Sequence, residues 1–201
     1  MAVIALDLDG TVGNYSKLLH SDSFKNGIIQ DGNYVEPKTY GMIEKGYFDS
    51  KEQFLKAHKL LCSNIYGGIG RMDLLEDGVD QAVQEWQKQG HEVIVTTARL
   101  MPDHDDNLHK KVIKDTKQWV MENIPTVDDI AIVRGGEKQS VNADIYIDDS
   151  PHEIANLRKD GYKVLIRHQL YNKDIDGNRV CSLHDVLPNI CLLYTSPSPR
   201  D

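Results

Sequence analysis

Five short apolar runs recur along the chain, and the tips of three of them carry hydroxyl or acid groups. Ala2 to Leu6 ends at Asp7, Val93 to Val95 at Thr96 and Thr97, and Ile145 to Ile147 at Asp148 and Asp149. Ile130 to Val133 and Val164 to Ile166 complete the set. The runs are continuous rather than alternating, the pattern of strands covered on both faces of a parallel sheet. Helical periods lie between them. Val79, Ala82, Val83 and Trp86 stand at i, i+3, i+4 and i+7 before a stop at Gly90, while Val112, Trp119 and Val120 mark a helix ending before Pro125. Ser150, Pro151 and Glu153 make a capping-box start with proline in the first turn, and Gly161 closes that helix. Strand and helix therefore alternate. With right-handed crossovers this predicts the α/β class and a doubly wound parallel sheet.

One interval breaks the alternation. Between Asp9 and Val79 lie about seventy residues without an apolar strand run, too long for a structureless loop. They hold Tyr15, Phe24, Tyr34, Tyr40, Tyr47, Phe48, Phe54 and Tyr66, including all 3 phenylalanines of the chain. Ser50-x-x-Gln53 caps a helix carrying Phe54, Ala57 and Leu61, and Gly67, Gly68 and Gly70 supply a flexible exit. The expected division is a core of residues 1–14 and 76–190 and a small, mostly helical cap of residues 15–75. Cys191 to Asp201 (CLLYTSPSPRD) reads as a translated sequencing-library adapter, disordered and standing in place of the true C-terminus, with a natural Ser/Pro-rich tail as the alternative. Cys62 and Cys181 then remain, a pair that suits reduced, incidental thiols.

The chain carries 23 Lys and Arg against 31 Asp and Glu, a net charge of −8. That sign argues against gripping duplex nucleic acid over a broad face, so an anionic ligand needs a local device. No stretch approaches a membrane span and the N-terminus lacks a secretory signal, so a soluble, cytoplasmic protein is expected. A homodimer is compatible with this composition.

Asp7 and Asp9, two apart at a strand end, can present two carboxylates to one side. Asp148 and Asp149 end another strand, and strand ends in doubly wound sheets meet in one crevice. At an effective dielectric of about 20, a like-charged pair at about 4 Å costs roughly 4 kcal/mol. Such a cluster protonates unless cations hold it, and Mg2+ is the natural hard divalent ion where phosphate is also bound. Thr97, Lys138, Thr11 and backbone N–H groups around Gly10 are the candidate phosphate donors.

The ordered set Asp7-Leu8-Asp9-Gly10-Thr11, Thr97, Lys138 and Asp148-Asp149 resembles the four motifs of the haloacid dehalogenase superfamily of phosphotransferases over residues 2 to 166. The resemblance implies the strand order 5-4-1-2-3. It also implies Asp7 as the nucleophile that takes the phosphoryl group, Asp9 as general acid and base, and Thr11 as the residue orienting Asp9. Thr97 and Lys138 would bind the transferring oxygens, with Mg2+ on Asp7, the Asp9 carbonyl, Asp148 and, through water, Asp149. The helical insertion, the Gly-Tyr-Phe segment at 46 to 48 and the stretch from Lys138 to Asp149 are similar to the 5′-nucleotidases and 5′(3′)-deoxyribonucleotidases, where an aromatic cap holds the base of a nucleoside monophosphate. Tyr15, Tyr47 and Phe48 are the candidates for stacking. Two positions depart from the animal deoxyribonucleotidases. Thr97-Ala98-Arg99 stands where they carry Thr-Ser-Pro, and Ser150 stands where an arginine follows the acid pair. Ala98 and Arg99 are taken as substrate contacts, with Arg99 replacing the missing phosphate ligand.

The alternatives are a phosphatase of the same fold for another small phosphate ester or a nucleic-acid 3′-phosphate, and a non-catalytic Mg2+ or nucleotide-binding module. Asn172-x-Asp174-x-Asp176-Gly177 resembles the start of a calcium loop, but Leu183 stands at position twelve, and a turn is expected. Asp103-His104-Asp105-Asp106 is expected to be solvated. The 8 histidines show no ligand spacing and none is assigned to zinc.

Overall fold

Each apolar run becomes a parallel strand, and side-chain parity sends its residues alternately to two helical layers. A computed structural model of the chain describes residues 1–43, 47–64 and 68–195. In chain order the main elements are β1 (Val3–Asp7), α1 (Tyr15–Lys25), α2 (Lys51–Ser63), α3 (Val79–Lys88), β2 (Glu92–Thr97) and α4 (Asp106–Asn123). They continue with β3 (Asp129–Ile132), β4 (Ile145–Asp148), α5 (Pro151–Lys159), β5 (Lys163–Arg167), β6 (Arg179–Val180) and α6 (Val186–Thr195). The sheet order is β3-β2-β1-β4-β5-β6, which is the expected 5-4-1-2-3 with a short sixth strand added beside β5. All five pairings are parallel. The sixth strand escaped the sequence reading because two residues carry no periodic signal.

Ile4, Leu6, Val93, Val95, Ile145, Ile147 and Leu165 face one apolar cluster with Trp86 of α3 and Trp119 of α4. Ala5, Tyr146, Val164 and Ile166 face the other, against Ile154 and Leu157 of α5. This period of two explains why the runs lack polar residues, since neither face meets water. The caps follow the local chemistry. Ser50 accepts from the Gln53 N–H at 3.1 Å at the start of α2, and Ser150 accepts from the Glu153 N–H at 3.4 Å at the start of α5.

Residues 15–71 supply α1, α2 and two 3-10 turns, Tyr40–Met42 and Gly68–Arg71. Leu18, Leu19, Phe48, Ala57 and Leu61 of this segment belong to the same apolar cluster as Ile4 and Leu6, so its interior is continuous with that of the sheet. Gly46, Tyr66 and Gly67 lie outside the described residues. α6 carries the helix to Thr195, into the stretch read as an adapter, and residues 196–201 are also outside the described residues. Among the described residues no helix is long and apolar enough to cross a membrane.

Candidate active site

β1, β2 and β4 are neighbours, and their C-terminal tips bring the polar residues together. The register pairs Asp7 with Thr96, and Leu6 with Ile147, so that Asp7 and Asp148 follow as the next pair on the same side of the sheet. Lys138 arrives from the 3-10 turn Lys138–Ser140 ahead of β4. Its ammonium donates to Asp7 Oδ1 at 2.5 Å and to Asp148 Oδ2 at 2.6 Å, with the lysine only 2 % exposed. Asp149 is held by Thr11, whose hydroxyl donates to Oδ1 at 2.8 Å, and by Tyr171, whose hydroxyl donates to Oδ2.

One ammonium thus faces three buried carboxyl groups. Burial, reinforced by Asp148, Asp149 and Asp9 and opposed by Lys138, holds the Asp7 carboxyl well above the usual range. Burial and Asp148 raise Asp149 to about 6. Burial alone would lower Lys138, but Asp148 and Asp7 more than reverse this and keep it firmly protonated. One ligand oxygen from each of Asp7, Asp148 and Asp149 lies within 4.8 Å of the others. An all-oxygen donor set with an excess of negative charge fits a hard divalent cation such as Mg2+. The raised Asp149 also sets a pH dependence. Its folded value lies above its ordinary 3.8, so in chelator the folded chain keeps a proton that the unfolded chain loses. Stability is therefore expected to fall as pH rises from about 4 to about 6 and to level off beyond that. Denaturant titrations of wild type and Asp149→Asn in chelator check this: their stability difference should drift against the wild type across that window, and a flat difference would refute it.

Asp9 stands apart from this cluster, because β1 ends at Asp7 and Asp9 already belongs to the following turn. Arg99 donates from Nε to Asp9 Oδ2 at 2.7 Å and from Nη2 to Oδ1. Nη1 of Arg99 donates to Thr116 at 3.0 Å, and the whole side chain is 1 % exposed. Nε and Nη2 of Arg99 are thus engaged by Asp9 and Nη1 by Thr116. Thr97 Oγ1 lies 3.4 Å from Asp9 Oδ2. Thr11, expected beside Asp9, is instead bonded to Asp149. The Gly10 N–H, expected as a phosphate donor, is used on the Gly13 carbonyl at 2.9 Å. Gly10 itself has φ +88°, and a Cβ there would stand 2.5 Å from Asp149 Oδ2, so only glycine fits.

These groups open into a cavity of about 660 Å3 lined by Asp7, Asp9, Gly10, Thr97, Ala98 and Lys138, with Arg99 and Asp149 also in its wall. Tyr15, Tyr34, Tyr40, Phe54 and Tyr171 line it as well. Tyr47 and Phe48 do not. Tyr47 packs on His20 at 4.3 Å between ring centroids and accepts from the Val35 N–H, while Phe48 is buried edge-on against Phe54 at 5.7 Å. Their aromatic character serves internal packing, which composition alone does not distinguish from stacking.

The sequence reading missed Tyr171, which holds Asp149, and Gln169, whose Nε2 donates to the Gly10 carbonyl at 2.5 Å. Both follow β5, beyond the recognised motifs. Asn172, the first residue of the calcium-like stretch, donates to the Asp149 and Arg167 carbonyls at 2.8 Å each, and its Oδ1 accepts from Gln169 and Arg179. Its side chain is therefore consumed in bracing the acid pair. Asp105 caps α4 by accepting from Leu108, as an N-terminal acid should, but His104 beside it is buried rather than solvated.

Residues 40–193 match the family described as 5′ nucleotidase, deoxy (Pyrimidine), cytosolic type C protein. The chain is 26 % identical over 201 residues to a Chlorobaculum tepidum protein named "Putative 5'(3')-deoxyribonucleotidase", an alignment covering 96 % of this chain and 92 % of the relative. Among solved structures it is similar to protein tyrosine kinase A of Mycobacterium tuberculosis, with a TM-score of 0.60, 15 % identity and coverage of 94 % and 97 % of the two chains. It is also similar to a HAD hydrolase of family IA, variant 3, from Entamoeba histolytica, with a TM-score of 0.54, 12 % identity and coverage of 98 % and 100 %. At such identities the two structures speak for the fold alone. The family match spans most of the chain, and the strand order, the neighbours and that match agree: the chain belongs to the deoxy (pyrimidine), cytosolic type C 5′-nucleotidases, phosphoric monoester hydrolases on the haloacid dehalogenase fold.

Proposed function

We propose that this chain hydrolyses nucleoside 5′-monophosphates through an aspartyl-phosphate on Asp7, with Mg2+ held by Asp7, Asp148 and Asp149 and by the Asp9 carbonyl. The observation carrying this reading is the opening of Asp7, Lys138 and an Arg99-held Asp9 into one aromatic-walled cavity. When bound, the cation supplies charge to the phosphoryl oxygens and offsets the carboxylates.

Asp7 supplies the attacking carboxylate oxygen. The new bond forms between that oxygen and phosphorus as the bond from phosphorus to the ester oxygen breaks. Asp9 gives its proton to the departing oxygen, then removes a proton from the water that attacks phosphorus and releases Asp7. Arg99 is the positioning residue for Asp9, and one Asp9 oxygen must leave it to carry the proton; the Asp9 side chain retains 23 % exposure. Lys138 and the Thr97 hydroxyl would take the phosphoryl oxygens, and Lys138 balances the charge that develops there. Residues 15–75 act as the cap over a core of 1–14 and 76–190, with Tyr15, Tyr34, Tyr40 and Phe54 offered to the base and sugar.

Phosphate release from thymidylate, other nucleoside 5′-monophosphates, a sugar phosphate and a 3′-phosphorylated oligonucleotide tests the proposal. The nucleotides should be hydrolysed fastest, and EDTA should abolish the reaction until Mg2+ is restored. Faster release from the sugar phosphate or the oligonucleotide would overturn the substrate assignment. Undiminished release in EDTA would overturn the metal assignment.

A further inference from the structure

Beside the cavity, outside the acid cluster, His58, Cys62 and His104 bring two imidazoles and a thiol together. His58 and Cys62 are four apart on α2 and so share one face of the helix. His104 comes from the segment entering α4, which Lys59 of α2 ties down by donating to the Asp103 carbonyl at 2.8 Å. The His58 and His104 rings stack with centroids 5.6 Å apart and planes 10° from parallel. His58 Nε2 lies 3.5 Å from Cys62 Sγ. One donor atom from each of the three residues lies within 4.8 Å of the other two.

The three side chains are buried, at 7 %, 1 % and 6 % exposure in chain order. Neither ring nitrogen of His104 has a hydrogen-bond partner among the described residues. A buried imidazole with both nitrogens unmatched is costly, and a ligated ion removes that cost at one of them. Cys62 sits with Ile69, Val112 and Leu108, an apolar surround that excludes competing water. The nearby Arg99 charge is matched by Asp9 and does not repel a cation alone.

We infer that His58, Cys62 and His104 form a second metal site, for a borderline-soft divalent ion of the zinc class, distinct from the hard-oxygen site at the strand tips. Two nitrogens and one sulfur are the donor set that zinc takes, and three protein ligands leave one tetrahedral position for water or another small ligand. Burial pushes His58 down to about 4, so its ring is neutral and in the ligand form at pH 7. Burial pushes the Cys62 thiol up to about 12, so metal binding must release its proton to solvent as the sulfur–metal bond forms. Ligation through Nε2 leaves the proton of His58 on Nδ1, the atom bonded to the Tyr15 hydroxyl. The ion thereby makes His58 the donor and Tyr15 the acceptor, and leaves the Tyr15 proton free to serve the cavity that Tyr15 lines.

The His58–Cys62–His104 site does not depend on the nucleotidase chemistry, and Co2+ is the probe that isolates it. Titrated into the chelator-treated full chain, Co2+ should produce a thiolate-to-cobalt charge-transfer band saturating at one ion per chain and discharged by Zn2+. The acid cluster contains no sulfur and cannot generate that band. Cys181→Ser and Asp148→Asn should retain it, Cys62→Ser should lose it, and His104→Ala should weaken Co2+ binding at least tenfold. A folded wild-type chain without the band overturns the site, whatever the variants do. A band that survives in Cys62→Ser, or disappears in Cys181→Ser, overturns the assignment to Cys62.

Discussion

Asp7→Asn is expected to reduce phosphate release by roughly 10^6-fold, the scale seen when a catalytic nucleophile is removed from an otherwise intact site. Asparagine keeps the shape of the side chain but not its nucleophilic oxygen. The variant should still fold. Lys138 retains Asp148 at 2.6 Å, and a neutral amide suits a buried position where burial and the neighbouring acids already hold the carboxyl above the usual range. Steady-state phosphate assays over matched protein concentrations, with circular dichroism as the check on folding, give the comparison. A folded Asp7→Asn variant with the wild-type rate would remove Asp7 from the chemistry altogether. The same variant incubated with substrate should trap no covalent phosphate, whereas the wild type, quenched in acid, should.

Lys138→Met is expected to damage stability as well as rate. Methionine matches the length of the lysine stem but strips the cation from between Asp7 and Asp148, both of which lie within hydrogen-bond distance of its ammonium. Removing one partner from a buried ion pair costs about 3–5 kcal/mol, because the remaining charge stays buried without compensation. Here two carboxyl groups are stranded and Asp149 stands beside them. Urea unfolding in chelator should show a loss of that size, and added Mg2+ should restore part of it by meeting the same carboxylates. A loss below about 1 kcal/mol, the scale of a surface pair, would mean that Lys138 does not carry the charge balance of the site.

Much of this was legible along the chain. The five apolar runs became β1 to β5 because continuous runs report burial on both faces, and the caps at Ser50 and Ser150 formed because their hydroxyls reach the N–H three residues on. The proximity of Asp7, Lys138 and Asp148 was legible too, since strand tips in a doubly wound sheet share one edge. The aromatics were harder. Tyr15 reaches the cavity while Tyr47 and Phe48 pack internally, and nothing in residue type separates a ring that faces a ligand from one that faces a neighbour. The His58–Cys62 spacing was visible as well. It pairs a histidine with a cysteine, and its third member lies on another element, so a search for histidine spacing passes over it.

By itself the order of residues determined the first five strands, the start of α2, the ends of α3 and α4, both ends of α5 and which acids stand at strand tips, because periodicity, capping and turn chemistry act over a few neighbours. Tertiary structure decided how the charges pair. Arg99 turned to Asp9, 90 residues away, and Thr11 to Asp149, 138 residues away, rather than to Asp9. A buried charge or hydroxyl takes whichever partner the packed chain brings within about 3 Å, and that distance is set by the sheet and the layers around it rather than by spacing in the sequence.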